Sequence, residues 1–206
     1  MVEIKLVLVY NIRMKGVVLM NFNNIKFKGT FRSYQQRILD SADLYLSDGK
    51  INIVAAPGSG KTILGLELIR RLGNPCIILS PTTTIREQWG ERFNESFLPD
   101  VYNIDEYVNY DLNKIVLINS ITYQALYSAM NKISSSNEDE EVDYSNIDLF
   151  KLIKENGIKT ICLDEAHHLQ NEWQKALEKF IKALDKDIAI ISLTATPPYD
   201  AKTTEW

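Results

Sequence analysis

The chain has 206 residues, 45% hydrophobic and 24% charged, enough for one sizeable core with a small addition at one end. Its two cysteines lie in separate apolar runs and make no disulfide framework, and Glu3 and Lys5 interrupt the apolar start, so neither a signal peptide nor a membrane span is expected and a reduced, cytoplasmic setting is. The net charge of −4 excludes a broad basic face but not a local one: residues 131–148 hold six acids and one base, and the remainder carries 22 bases against 21 acids.

Residues 2–10 and 15–20 are rich in Val, Ile and Leu around a turn-like Asn-Ile-Arg-Met-Lys-Gly, which predicts a β-hairpin within an extension over 1–30. From residue 31 the character changes. A helix is predicted over 32–46, a strand over 51–56, a helix over 61–72 and a strand over 75–80. A helix over 83–93, a strand over 114–120 and a helix from 122 to about 130 follow. The Ser-, Asn- and acid-rich stretch 131–148 predicts a solvated loop insertion. Then come a strand over 159–164, a helix over 172–184 and a strand over 187–195. Strands that are apolar throughout, alternating with helices, predict a three-layer α/β sandwich around a mainly parallel sheet, with ligands bound outside the C-terminal strand ends. No internal repeat is visible.

Ala55-Ala56-Pro57-Gly58-Ser59-Gly60-Lys61-Thr62 lies between a predicted strand and a predicted helix. Its glycines let the loop curl so that N–H groups and the helix N-terminus face a polyphosphate. Lys61 would reach the β- and γ-phosphates of ATP, and the Thr62 hydroxyl would bind Mg²⁺. Ala55 departs from the general phosphate-loop pattern, which has glycine there. Asp164-Glu165-Ala166-His167 ends a later strand. Asp164 suits Mg²⁺ and Glu165 suits a general base. His167 reads as a hydrogen-bonding relay, and no third ligand at suitable spacing joins it and His168 in a metal site. Thr194-Ala195-Thr196-Pro197 ends the last strand, where the two hydroxyls could bond to His167 or Asp164.

Together these motifs, in this order, resemble motifs I, II and III of superfamily 2 helicases. The resemblance covers roughly residues 31–198 and implies a RecA-like phosphate-loop fold. Phe31-Arg32-Ser33-Tyr34-Gln35 is similar to the upstream motif, which implies adenine recognition by Gln35 with Arg32 beside it. Pro81 to Trp89 is similar to motif Ia and Ile121 to Leu126 to a later strand-binding motif, which implies phosphate contacts at Thr82, Thr83 and Thr122. For Trp89 and Tyr123, core packing and nucleic-acid contact are both open. The forms of these motifs look most like the branch of type III restriction subunits and repair helicases, so DNA is the expected partner rather than RNA. The family completes its motor with a second RecA-like domain, for which no segment here remains. A phosphate-loop ATPase of another class and a nucleotide-gated binding module are the rival expectations.

Overall fold

The computed structural model describes residues 13–14, 17–18, 21–46, 49–137, 140–166, 169 and 171–195. Its centre is a six-stranded sheet of β3 (Lys50–Val54), β4 (Cys76–Ser80), β5 (Val108–Asn109), β6 (Ile118–Thr122), β9 (Thr160–Asp164) and β10 (Ala189–Thr194). The spatial order is β3-β10-β9-β4-β6-β5, and every neighbouring pair runs parallel. All strand ends that carry motifs therefore open on one edge.

Side chains alternate between the two faces of a strand, so an unbroken apolar strand feeds two cores. Cys76, Ile78, Cys162, Ile191 and Leu193 pack on one side with α1 (Ser33–Asp40), α3 (Lys61–Leu72) and α4 (Thr83–Ser96). Ile77, Leu79, Ile161, Leu163 and Ile190 pack on the other with α5 (Tyr123–Asn131), α6 (Leu149–Glu155) and α7 (Asn171–Ala183). The result is the expected three-layer parallel sandwich. Glu67 in α3 is buried and held by both Arg70 and Arg71 at 2.8 Å, while Arg71 also donates to Leu39 O, which fixes α1 against α3.

Several expectations are corrected. The helix predicted over 32–46 is two: α1 ends at Ser41, whose φ of −111° and ψ of 10° leave the helical region, and α2 (Ala42–Tyr45) follows. The strand predicted over 114–120 starts later, at Ile118. Buried Asn119 accepts from Val116 N at 2.9 Å and donates to Val116 O at 2.8 Å, closing a tight loop just upstream. The acidic stretch is not all loop. It contains an antiparallel hairpin, β7 (Ser134–Asn137) with β8 (Glu140–Asp143), and its last residue, Asp148, caps the following α6 by accepting from Lys151 N. Near the N-terminus β1 (Arg13–Met14) pairs antiparallel with β2 (Val17–Val18), so two residues expected in the turn lie in a strand. The strand expected over 2–10 lies outside the described residues. No helix among the described residues is long and apolar enough to cross a membrane.

Candidate nucleotide and nucleic-acid site

The loop between β3 and α3 turns on two glycines in the left-handed region, Gly58 at φ +70° and Gly60 at φ +96°. Only glycine adopts such angles at no steric cost. Gly60 has a second constraint, because a Cβ there would lie 2.8 Å from Gln35 Nε2. The upstream motif grips this loop from outside. Arg32 Nη1 donates to Gly58 O at 3.0 Å and Ser59 O at 2.7 Å, and Tyr34 Oη donates to Ser59 O at 3.1 Å. Gln35 is buried, accepts from Arg32 N at 2.7 Å and donates to Gly60 O at 3.0 Å. Each of its amide atoms keeps one further hydrogen-bonding position. Gln36 is exposed and turned to Asp40. Pro57 is exposed, and Thr62 is half-buried in the first turn of α3.

Lys61 spans the loop. Its Nζ donates to Ala55 O at 3.0 Å and meets Glu165 Oε1 at 3.3 Å, with both side chains largely shielded. Motifs about a hundred residues apart are thus brought into contact across the strand ends. Glu165 has φ +51°, a left-handed conformation that costs a non-glycine residue on the order of 1 kcal/mol. Its other oxygen accepts from Ala195 N at 2.9 Å and from Thr194 Oγ1 at 3.2 Å. Burial pushes the Glu165 carboxyl up, but the Ala195 N–H, Lys61 and Thr194 outweigh it and hold it below the usual range. Thr194 thus reaches Glu165, a partner beyond the His167 and Asp164 that the sequence suggested. His167, His168 and Thr196 lie outside the described residues.

Asp164 ends β9 with only 7% of its surface exposed. Burial pushes its carboxyl up to about 6. The Trp89 hydrogen bond and Lys61 oppose the rise, and Glu165 adds to it. Trp89 is fully buried and donates from Nε1 to Asp164 Oδ2 at 2.9 Å; buried Tyr123 donates from Oη to Asp164 O at 3.1 Å. The two aromatic residues are core residues, and the alternative of nucleic-acid contact falls away. What motif reading alone missed is their shared target, since a pattern such as Gln-Trp records spacing but not where an indole N–H points. Among the described residues no donor reaches Asp164 Oδ1, and no cluster of three His, Cys, Asp or Glu side chains stands ready for a metal. One carboxylate and one hydroxyl suit a hard cation that completes its shell with phosphate oxygens and water.

Thr82 caps α4 by accepting from Ile85 N at 3.2 Å and is exposed, with Thr83 half-buried beside it. Thr122 caps α5 by accepting from Ala125 N but is only 3% exposed. Its hydroxyl is committed inside, so Thr82 and Thr83 are the residues of this group that solvent reaches.

Residues 28–199 match the family described as type III restriction enzyme, res subunit. The "DNA 3'-5' translocase XPB2" of Sulfurisphaera tokodaii is 24% identical over 181 residues, which is 87% of this chain and 34% of that protein. "Putative helicase 055L" of Frog virus 3 is 36% identical over 72 residues, 34% of this chain and 16% of that protein. The chain thus spans at most about a third of the length of these relatives. Among solved structures, the Pyrococcus furiosus Hef helicase domain superposes with a TM-score of 0.58 at 21% identity, over 82% of this chain and 34% of that one. A chain of a CRISPR RNA-guided surveillance complex in a pre-nicking state gives 0.53 at 22% identity, over 80% of this chain and 18% of that one. At such identities the structures speak for the fold alone, but the family match spans most of the chain: it belongs to the type III restriction enzyme res-subunit family, and its fold is that of a superfamily 2 helicase ATP-binding motor domain.

Proposed function

We propose that the chain binds Mg·ATP at the β3–α3 loop and forms the first half of a motor that couples ATP hydrolysis to movement along DNA. The observation that carries this is the 3.3 Å meeting of Lys61 and Glu165 beside the buried Asp164. Lys61 binds the β- and γ-phosphates, assisted by the N–H groups of Gly58, Ser59 and Gly60 in the loop that Pro57 leads into and by the Ser59 hydroxyl. Thr62 and Asp164 hold Mg²⁺, whose chemistry when bound is to neutralise charge on the phosphate oxygens. Glu165 takes the proton of the water that attacks the γ-phosphate; its lowered carboxyl keeps it ionised and able to do so at neutral pH. Arrival of the γ-phosphate gives Lys61 a competing anion and releases Glu165 toward that water. Thr194 orients Glu165, and His167 and Thr196 are proposed to extend the relay. Gln35 meets the adenine edge with its remaining donor and acceptor, and Arg32 supports the loop it leans on.

Thr82 and Thr83, at the start of α4, are the proposed phosphate contacts with nucleic acid. DNA is favoured over RNA because a relative matched along most of this chain is a DNA translocase. A second RecA-like domain, as the family resemblance implies, would supply arginine to the transferred phosphoryl group; such fingers are worth ~10³–10⁵ in turnover where they occur. With half a track and a near-neutral body, binding to a labelled single strand should be weak, indifferent to sequence and shallow in salt dependence. Thr82→Asp keeps the helix cap and places a negative charge where a phosphate is proposed. In fluorescence anisotropy it should weaken binding roughly fivefold at low salt, with the difference shrinking as salt rises. Unchanged binding in this variant would remove Thr82 from the track.

A further inference from the structure

Position 65 is an odd place for glycine. It lies in the middle of α3, where glycine costs about 1 kcal/mol relative to alanine. Its φ is not positive, so backbone conformation does not require it. Space does: a Cβ on Gly65 would lie 2.7 Å from Trp89 Cη2 and 2.8 Å from Leu193 Cδ1. The phosphate-loop helix is hollowed at the spot where the indole of α4 enters. The far side of that indole presents Nε1 to Asp164 Oδ2 at 2.9 Å. An apolar side chain would fill the same hole without spending a helix position on glycine, yet it would bring no N–H to the carboxylate. The indole fills the space and bonds the carboxylate at once, with no surface exposed.

We propose that Trp89 is a positioning residue for the cation: wedged against Gly65, its indole N–H fixes one oxygen of Asp164 so that the other is presented to Mg²⁺. This rests on the proposed Mg·ATP site. It assigns to motif Ia, whose first turn faces the proposed nucleic-acid track, a direct grip on the metal carboxylate from inside the protein. Partners that orient metal ligands in this way typically govern 10–100-fold in metal affinity.

The test separates nucleotide from cation. Affinity for ATP is measured by calorimetry on the full chain in EDTA and then across a Mg²⁺ series. Trp89→Phe keeps a ring in the hole and removes the N–H. Its affinity in EDTA should stay within roughly twofold of the parent, while the Mg²⁺ needed for half of the tightening rises about tenfold. Gly65→Ala, which touches neither Asp164 nor the N–H itself, should shift the Mg²⁺ dependence in the same direction by displacing the indole. A third measurement leaves the pair intact. The chain has three tryptophans, so in a Trp173→Phe, Trp206→Phe background Trp89 reports alone, and Mn²⁺ added with ADP should quench it where Mg²⁺ does not. A normal Mg²⁺ dependence in folded Trp89→Phe overturns the proposal, as does an equal loss with and without metal, which marks a packing role. If Trp89→Phe does not fold, Gly65→Ala and the Mn²⁺ quench decide: a parental Mg²⁺ dependence or an unquenched Trp89 overturns it. A parent chain whose ATP affinity ignores Mg²⁺ instead sinks the site assignment itself.

Discussion

Lys61→Ala should lower the affinity for Mg·ATP by ~100-fold, about 2.8 kcal/mol, while the protein stays folded. Lys61 binds both the loop, through Ala55 O, and the second motif, through Glu165. Removing it takes a largely shielded cation from the place where phosphate charge accumulates. The fold survives because Glu165 keeps its bonds from Ala195 N and Thr194, and because α3 is anchored by apolar burial of Leu64, Leu66, Leu68 and Ile69. Calorimetry with circular dichroism as the folding control decides it; parental affinity in a folded variant would withdraw the phosphate-loop assignment. The same titration with GTP examines Gln35. ATP should bind better, and Gln35→Ala should narrow the gap.

Asp164→Asn should stabilise the empty protein and abolish the Mg²⁺ dependence of nucleotide binding. Burial raises the Asp164 carboxyl from 3.8 to about 6, so the folded state holds a proton more tightly than the unfolded chain. A rise of this size corresponds to about 3 kcal/mol. That contribution is fully present below about pH 4, where both states are protonated, and is lost as pH rises through about 6. At pH 8 the empty fold therefore contains a desolvated charge that Asn removes, while the Asn oxygen still accepts from Trp89. The expected gain is about 2 kcal/mol, or roughly 4–8 °C in Tm. The gap between the two proteins should close between pH 6 and pH 4. Thermal unfolding at a series of pH values, without nucleotide, measures it. A less stable variant at pH 8, or a gap that pH does not move, would contradict this account.

Much of the sheet was legible because apolar runs bounded by glycine, proline and charge leave few alternatives. The span 61–72 was recovered as a helix, with Gly60 before it and Gly73 after it, both at positive φ. The misses have local causes. The two-residue strand β5 and the two-turn helix α6 are too short to show periodicity, although Asp148 ahead of Leu149 and Phe150 was a usable capping signal. The break at Ser41 interrupts an otherwise amphipathic run without glycine or proline. At the site, loop and carboxylate motifs were visible as strings. The contact between Lys61 and Glu165, the turn of Thr194 toward Glu165 and the burial of Thr122 were not, because they depend on β10 lying between β3 and β9 and on how deep each strand end sits.

The two cysteines give the sheet an internal clock. Cys76 and Cys162 lie in the adjacent central strands β4 and β9 with no exposed surface. Burial pushes the Cys76 thiol up to about 12 and the Cys162 thiol well above its usual value. Both are inert toward alkylating reagents while the strands remain paired, since the thiolate is the reactive form. Labelling must wait for the opening of the sheet's centre, so its rate at fixed reagent reports the population of globally open molecules. A ligand that binds only the closed form suppresses that population by its own saturation. Mg·ATP at a hundred times its Kd should slow labelling by ~100-fold, whereas in Lys61→Ala the same concentration should slow it hardly at all. Two residues with no part in the chemistry thus turn nucleotide occupancy into a rate that a thiol reagent and a mass spectrometer can read.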